Sequence, residues 1–213
     1  MTRYLGGKEP PEHVLTVEEA EETIKPHKDR LDKCIQDGWD AWKNDFAFKH
    51  HILGARARAA IVFDEIAWRA QQEFSGIDGV IFRRHSNTFM LYIGDTISLR
   101  FKKLRKNGRC SAINTRQQML FTAQAQLRLP TMLHGTLVNA GYILDDLQLE
   151  IQRKMVVCQF KNQVLWQIRL EGEAAPVLEL SPLPTPSELP KPEFKIKDTK
   201  TKKAKAAKAG EKE

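Results

Sequence analysis

The feature that most constrains this chain is a change of hydrophobic period at residues 75–79. Before it, Leu31, Ile35, Trp39, Trp42 and Phe46 recur at intervals of three or four, which places them along one face of an α-helix. Gly38 weakens that helix slightly. A second helix is predicted from about His51 to Phe74. Its stripe is Ile52, Ala55, Ala59, Val62 and Ile66, widened by Phe63, Ala67, Ala70 and Phe74. Both faces are too broad to leave in water, so the helices should pack together or on a sheet.

At Ser75–Gly79 the period becomes two. Val80–Arg84 and Thr88–Ile93 are predicted strands, separated by a turn at Ser86 and Asn87. After a turn at Gly94 and Asp95, Thr96–Leu104 alternates strictly. Ile97, Leu99 and Phe101 point one way, and Thr96, Ser98, Arg100 and Lys102 point the other. These three strands are expected to form an antiparallel meander with one wet, basic face.

A helix is expected after Thr115, whose hydroxyl and Gln118 make a capping box. Met119, Leu120, Ala123 and Leu127 are read as its inward face, and it should end before Pro130. Leu137–Leu144, Ile151–Phe160 and Val164–Leu170 predict a second three-stranded meander, with a hairpin turn at Lys161 and Asn162. The fold class is therefore α+β: N-terminal helices, then two antiparallel three-stranded meanders separated by a helix.

Thr16 and Glu19 form another capping box, so residues 1–28 read as an irregular lead-in with a short acidic helix. Residues 29–174 read as a single α+β domain. Beyond it, six prolines fall within 176–192 and a Lys/Ala run follows. Residues 175–213 should therefore be a disordered tail.

The formal net charge is +7, unevenly placed. Residues 79–109 carry eight Arg or Lys and a single acid, Asp95, while residues 191–213 carry nine lysines and four acids. The rest of the body is then net acidic. Such a chain can attract a polyanion at one face while staying nearly neutral elsewhere. The candidate binding residues are Arg83, Arg84, Arg100, Lys102, Lys103, Arg105, Lys106 and Arg109. They suit phosphates, an acidic protein surface, or a solvated strand that discourages edge pairing.

Catalytic signatures are not found. Asp145, Asp146 and Glu150 could hold a cation in a nuclease, but Asp-Asp before Leu147 reads better as a turn. His50 and His51 are adjacent and point about 100° apart on a helix, so a shared metal is not expected. Cys110 is read as a passive exposed thiol beside Arg109, and Cys34 and Cys158 as core residues. Three distant cysteines argue for a reducing compartment. No apolar run approaches the roughly 18–20 residues that cross a bilayer, and no secretory apolar stretch opens the chain. A cytoplasmic, non-membrane protein without metal or cofactor is expected.

Four segments carry a resemblance to a known family. They are Arg100–Leu104, Thr115 with its glutamine-rich helix, Gly141–Asp146 and Val164–Leu170. Together they look like an uncharacterised bacterial family comparable in length to this chain, over roughly residues 60–171. That family is often encoded beside helix-turn-helix regulators and ImmA/IrrE-type metallopeptidases. The resemblance implies an antitoxin-like partner or regulator in a toxin–antitoxin or phage-defence module. Its protein partner would be a metallopeptidase or toxin. This chain lacks the peptidase's His-Glu-x-x-His pattern, and no catalytic residue carries over. The alternative is a nucleic-acid-binding protein using the basic strands of 79–109 and the Lys-rich tail.

Overall fold

The computed structural model describes residues 9–85, 88–111, 115–125 and 135–171. The turn expected at Ser86 and Asn87, Leu127 of the expected inward face and the tail at 175–213 lie outside the described residues, whereas the helix after Thr115 ends at Thr122, well before Pro130.

Three helices come first: α1 (Val17–Ile24), α2 (Lys28–Asp45) and α3 (Ala55–Glu73). The Thr16 capping box is present, with Glu19 Oε2 accepting from the Thr16 N–H at 2.9 Å. α2 buries Leu31, Cys34, Ile35, Trp39 and Trp42, as its spacing predicts. α3 begins later than expected and buries Val62, Ile66 and Ala70. Ile52 falls before it and is exposed, so it is not part of the stripe. Gly38 lets α2 and α3 approach closely: a Cβ there would come within 2.5 Å of Ile66 Cγ1. Ala20 and Ile24 of α1 enter the same core.

Six strands follow: β1 (Val80–His85), β2 (Thr88–Ile93), β3 (Ile97–Lys103), β4 (Thr136–Leu144), β5 (Ile151–Phe160) and β6 (Gln163–Arg169). The α+β class holds, but the two meanders are not separate. β3 and β4 pair in parallel, with Arg100 opposite Asn139, and join all six strands into one mixed sheet in chain order. Strands paired in parallel need a long crossover connection. Residues 104–135 supply it and carry α4 (Arg116–Thr122) onto the face opposite α1–α3.

The sheet is thus covered on both sides over its central strands. α1–α3 pack on Leu91, Ile97, Leu99, Phe101, Val138, Ala140 and Val156. On the other face, Phe121 of α4 packs with Met90, Tyr92 and Leu137. Beside it Leu104 and Cys110 pack on Ile143, Met155 and Val157. The inward face of α4 also differs from expectation. Gln118, Phe121 and the following Gln124 are buried, whereas Met119 is exposed.

Gln124 closes this layer. Its backbone is left-handed, at φ 52°. Its side-chain amide behaves as an extra strand residue: Oε1 accepts from the Leu137 N–H at 2.9 Å, and Nε2 donates to Leu137 O at 2.8 Å. Nε2 also donates to Gln159 O at 2.9 Å, beside the irregularity in β5. The amide therefore satisfies backbone groups that the sheet leaves open.

Candidate functional site

Alternation in β3 holds, but the face expected to be wet is not. Arg100 is only 5% exposed. Its guanidinium donates from Nη2 to Gln118 Oε1 at 2.9 Å and lies under the Phe121 ring. Burial lowers its pKa to about 10. Ser98 on the same face is buried as well. The reason is topological: β3 is an interior strand, and the crossover lays α4 across its polar side.

The remaining basic residues divide among several environments. Arg83 and Arg84 lie on β1, at an edge of the sheet, and point to opposite faces. Lys102 is half-buried with its ammonium 5.7 Å from the centre of the Phe63 ring, and burial, then Arg100, lowers its pKa. Lys103 donates to Gln148 Oε1 at 3.1 Å. Arg105 is exposed. Lys106 pairs with Asp146, and Arg109 donates to Asn162 Oδ1 at 2.9 Å. The eight residues do not form the single basic face that the strand pattern predicts.

Lys103, Arg105 and Lys106 instead line an open cleft of about 300 Å³ with Asp145, Asp146 and Gln148. The β4–β5 turn forms its other wall. Asp145 Oδ1 accepts from the Leu149 N–H at 2.7 Å and the Glu150 N–H at 3.2 Å, which is turn chemistry. Glu150 pairs with Lys43 at 2.7 Å. Each of the three carboxylates weighed for a nuclease thus has a structural partner. Among the described residues no three His, Cys, Asp or Glu side chains group as metal ligands. His50 stacks on Trp42, 4.3 Å between ring centres.

The same turn projects Leu147 and Leu149, which are 76% and 61% exposed. Arg58 at the start of α3 holds it from the other side, donating to Gln148 O at 3.1 Å and to Gln148 Oε1 at 2.6 Å. That contact, with Lys43–Glu150, brings the turn to the α2–α3 connection, where Phe48 and Ile52 are each 67% exposed. Four large apolar side chains therefore stand in water at one end of the fold. Lys49 lies 5.3 Å from the centre of the Phe48 ring, and Lys103, Arg105 and Lys106 line the cleft beside the turn together with Asp145 and Asp146. Sequence reasoning missed this surface because it counted Ile52 as core and read 145–150 only as a turn. Its signal was present: Leu147 and Leu149 flank a polar residue in a turn, where no packing partner is available.

Cys110 is half-buried rather than exposed, and burial pushes its thiol up to about 11 against the opposing pull of Arg100 and Lys102. It does not have the lowered pKa that a reactive thiol needs. Cys34 and Cys158 are core residues, as expected, each pushed up to about 12, chiefly by burial.

No family model, curated protein or solved structure matches this chain. The described residues contain no helix long and apolar enough to cross a membrane.

Proposed function

We propose that the protein is a non-enzymatic interaction protein that docks a partner protein through the end bearing Phe48, Ile52, Leu147 and Leu149. The exposure of Leu147 and Leu149 on one clamped turn, held against the connection that exposes Phe48 and Ile52, carries the reading. Scattered surface apolar residues need no explanation, but a group rimmed by charge marks an association surface. Apolar anchors supply affinity in such interfaces, and the rim supplies steering. Lys49 and Arg105, exposed cations of this end outside the Lys106–Asp146 and Lys43–Glu150 pairs, favour a partner with an acidic surface. An antitoxin-like partner or regulator of a metallopeptidase or toxin fits this role.

The test is association with the product of the neighbouring gene, measured by calorimetry and size-exclusion chromatography. Binding is expected, with at least about a tenfold loss for Leu147→Glu combined with Leu149→Glu, equivalent to about 1.4 kcal/mol. Wild-type affinity in that double variant would remove the proposed surface. No association at all would remove the proposed role.

A second reading, nucleic-acid binding, draws on Arg105, Lys106 and Arg109, which share one loop. It expects affinity for random DNA that falls steeply with salt. Charge reversal of those three residues should abolish that affinity. Unchanged binding in the triple variant rejects this reading.

A further inference from the structure

One neutral oxygen on the β4–β5 turn holds two cations. Arg58 Nη2 donates to Gln148 Oε1 at 2.6 Å, and Lys103 Nζ donates to the same atom at 3.1 Å. Arg58 Nη1 also donates to Gln148 O, at 3.1 Å. A guanidinium from α3 and an ammonium from the end of β3 thus converge on one point. Among the described residues no carboxylate pairs with either. An amide oxygen carries no net charge and leaves the two cations opposed. Both are half-buried, so salt and water screen their repulsion less than at an open surface. Lys103 feels it: burial first, and then Arg58, hold its pKa below the usual lysine value.

The same place has room. Lys103 and Gln148 line the open cleft of about 300 Å³ between residues 103–106 and the turn, a space of roughly ten water volumes. Arg105 adds a third positive charge to its wall, and Ser111 lines it with a hydroxyl. Lys106 is already answered by Asp146. Gln148 is exposed, so its amide can swing into water and give up its position between the cations.

We propose that this cleft binds a phosphate group, free or carried on a small ester. Its oxygens replace Gln148 Oε1 between Arg58 and Lys103 and bring the full negative charge that the amide lacks. A phosphate accepts charge-assisted bonds from several donors at once, and the fork of an arginine matches its geometry. The cleft leaves space for an ester group beside the phosphate. Asp145 and Asp146 in the lining suit a hydroxyl or ammonium on that group. A ligand held here stabilises the folded chain in proportion to its occupancy. The inference does not depend on the docking reading, because the anion binds with no partner protein present.

The experiment uses the full chain alone. Inorganic phosphate, O-phosphoserine and serine are titrated at matched ionic strength by calorimetry, with thermal melting alongside. Phosphate and phosphoserine are expected to bind and to raise the melting temperature, whereas serine does neither. Tighter binding of phosphoserine assigns the site to an ester, and equal binding assigns it to the phosphate group alone. Lys103→Met keeps the aliphatic stem and should weaken both at least about tenfold, the loss expected for one charge-assisted bond. Gln148→Glu sets a carboxylate between the two cations. It should raise the melting temperature of the ligand-free chain and abolish phosphate binding together. Absence of binding by both phosphates, or serine binding as tightly as phosphoserine, would overturn the proposal. So would a Gln148→Glu variant that melts lower than the wild type or keeps its phosphate affinity.

Discussion

The guanidinium carbon of Arg100 lies 3.3 Å from the centre of the Phe121 ring, on the face of the sheet opposite the three N-terminal helices. This contact fastens the crossover helix to an interior strand. A desolvated cation–π contact is worth about 2 kcal/mol, and Phe121 also covers Met90, Tyr92 and Leu137. Phe121→Ala should therefore cost about 3 kcal/mol or more in urea denaturation. Phe121→Tyr keeps the ring face and should cost much less. Phe121→Leu keeps apolar bulk without a π face, and a cost equal to that of Phe121→Tyr would show that burial, and not the π face, holds Arg100.

Much of the fold is legible from periodicity, because each element carries its own pattern. All six strands lie within one residue of their expected bounds, and the Thr16 capping box and the buried stripe of α2 follow from local spacing, while Thr115 caps its helix without the return bond from Gln118, whose Oε1 accepts from Arg100. The joining of the two meanders does not, because the parallel pairing of β3 and β4 is a long-range relation. One local signal did point to it. Leu137–Leu144 is nearly continuous in apolar or small residues rather than alternating, which marks a strand covered on both faces. Asn139 is the polar exception, and it faces Arg100's strand from within that buried run. Ser98, Arg100 and Lys102 resemble a solvated face because periodicity reports which residues share a side, not what covers it. The candidate site was harder still, since Phe48, Ile52, Leu147 and Leu149 are joined only by contacts across the fold, such as Arg58 with Gln148.

Gln124 provides a sharper test of the second layer. Its amide meets both the N–H and the C=O of Leu137 and the carbonyl of Gln159. Gln124→Leu fills similar space but strands those three backbone groups. Each buried polar group left unpaired costs about 1–3 kcal/mol, so a total loss of about 3 kcal/mol is expected. Hydrogen exchange at the Leu137 amide should accelerate more than at the centre of β5. Unchanged protection at Leu137 would mean that another group takes over from the amide.

His27 gives the fold a pH dependence of definite sign. Burial first, and then Arg30, hold its imidazole below the usual 6.5, and its Nδ1 is buried without a partner. As pH falls through 6.5, the unfolded chain takes up a proton that the folded one resists. Stability should fall on that descent and level off once the folded imidazole is protonated. Above the unfolded value His27 contributes no slope. Because the ring is half-buried, the slope should stay below that of one full proton. His27→Gln should flatten this part of the profile in urea midpoints compared at about pH 7.5 and about pH 5.5. An unchanged profile in the variant would assign the slope to other groups.

Lys154 of β5 is nearly buried and donates to Asp32 Oδ2 of α2 at 2.8 Å and to Gln36 Oε1 at 3.2 Å. The pair ties the helical layer to the sheet, but its net contribution need not be large. Desolvating two charges offsets most of their attraction, whereas removing one partner leaves a buried charge unopposed. Asp32→Ala should therefore cost about 3 kcal/mol, the low end of the range for buried pairs. Asp32 retains some solvent contact, so the stranded ammonium can recruit water. Lys154→Met should cost less, since Asp32 is the more exposed partner and can be hydrated. The double variant Asp32→Leu with Lys154→Met replaces the pair by apolar contacts at the same site and should recover most of the stability lost in Asp32→Ala. Urea denaturation of the wild type, Asp32→Leu, Lys154→Met and the double variant closes the cycle and gives the coupling energy. Additive losses would mean that the two side chains act independently and that packing of α2 on β5 does not depend on their charge.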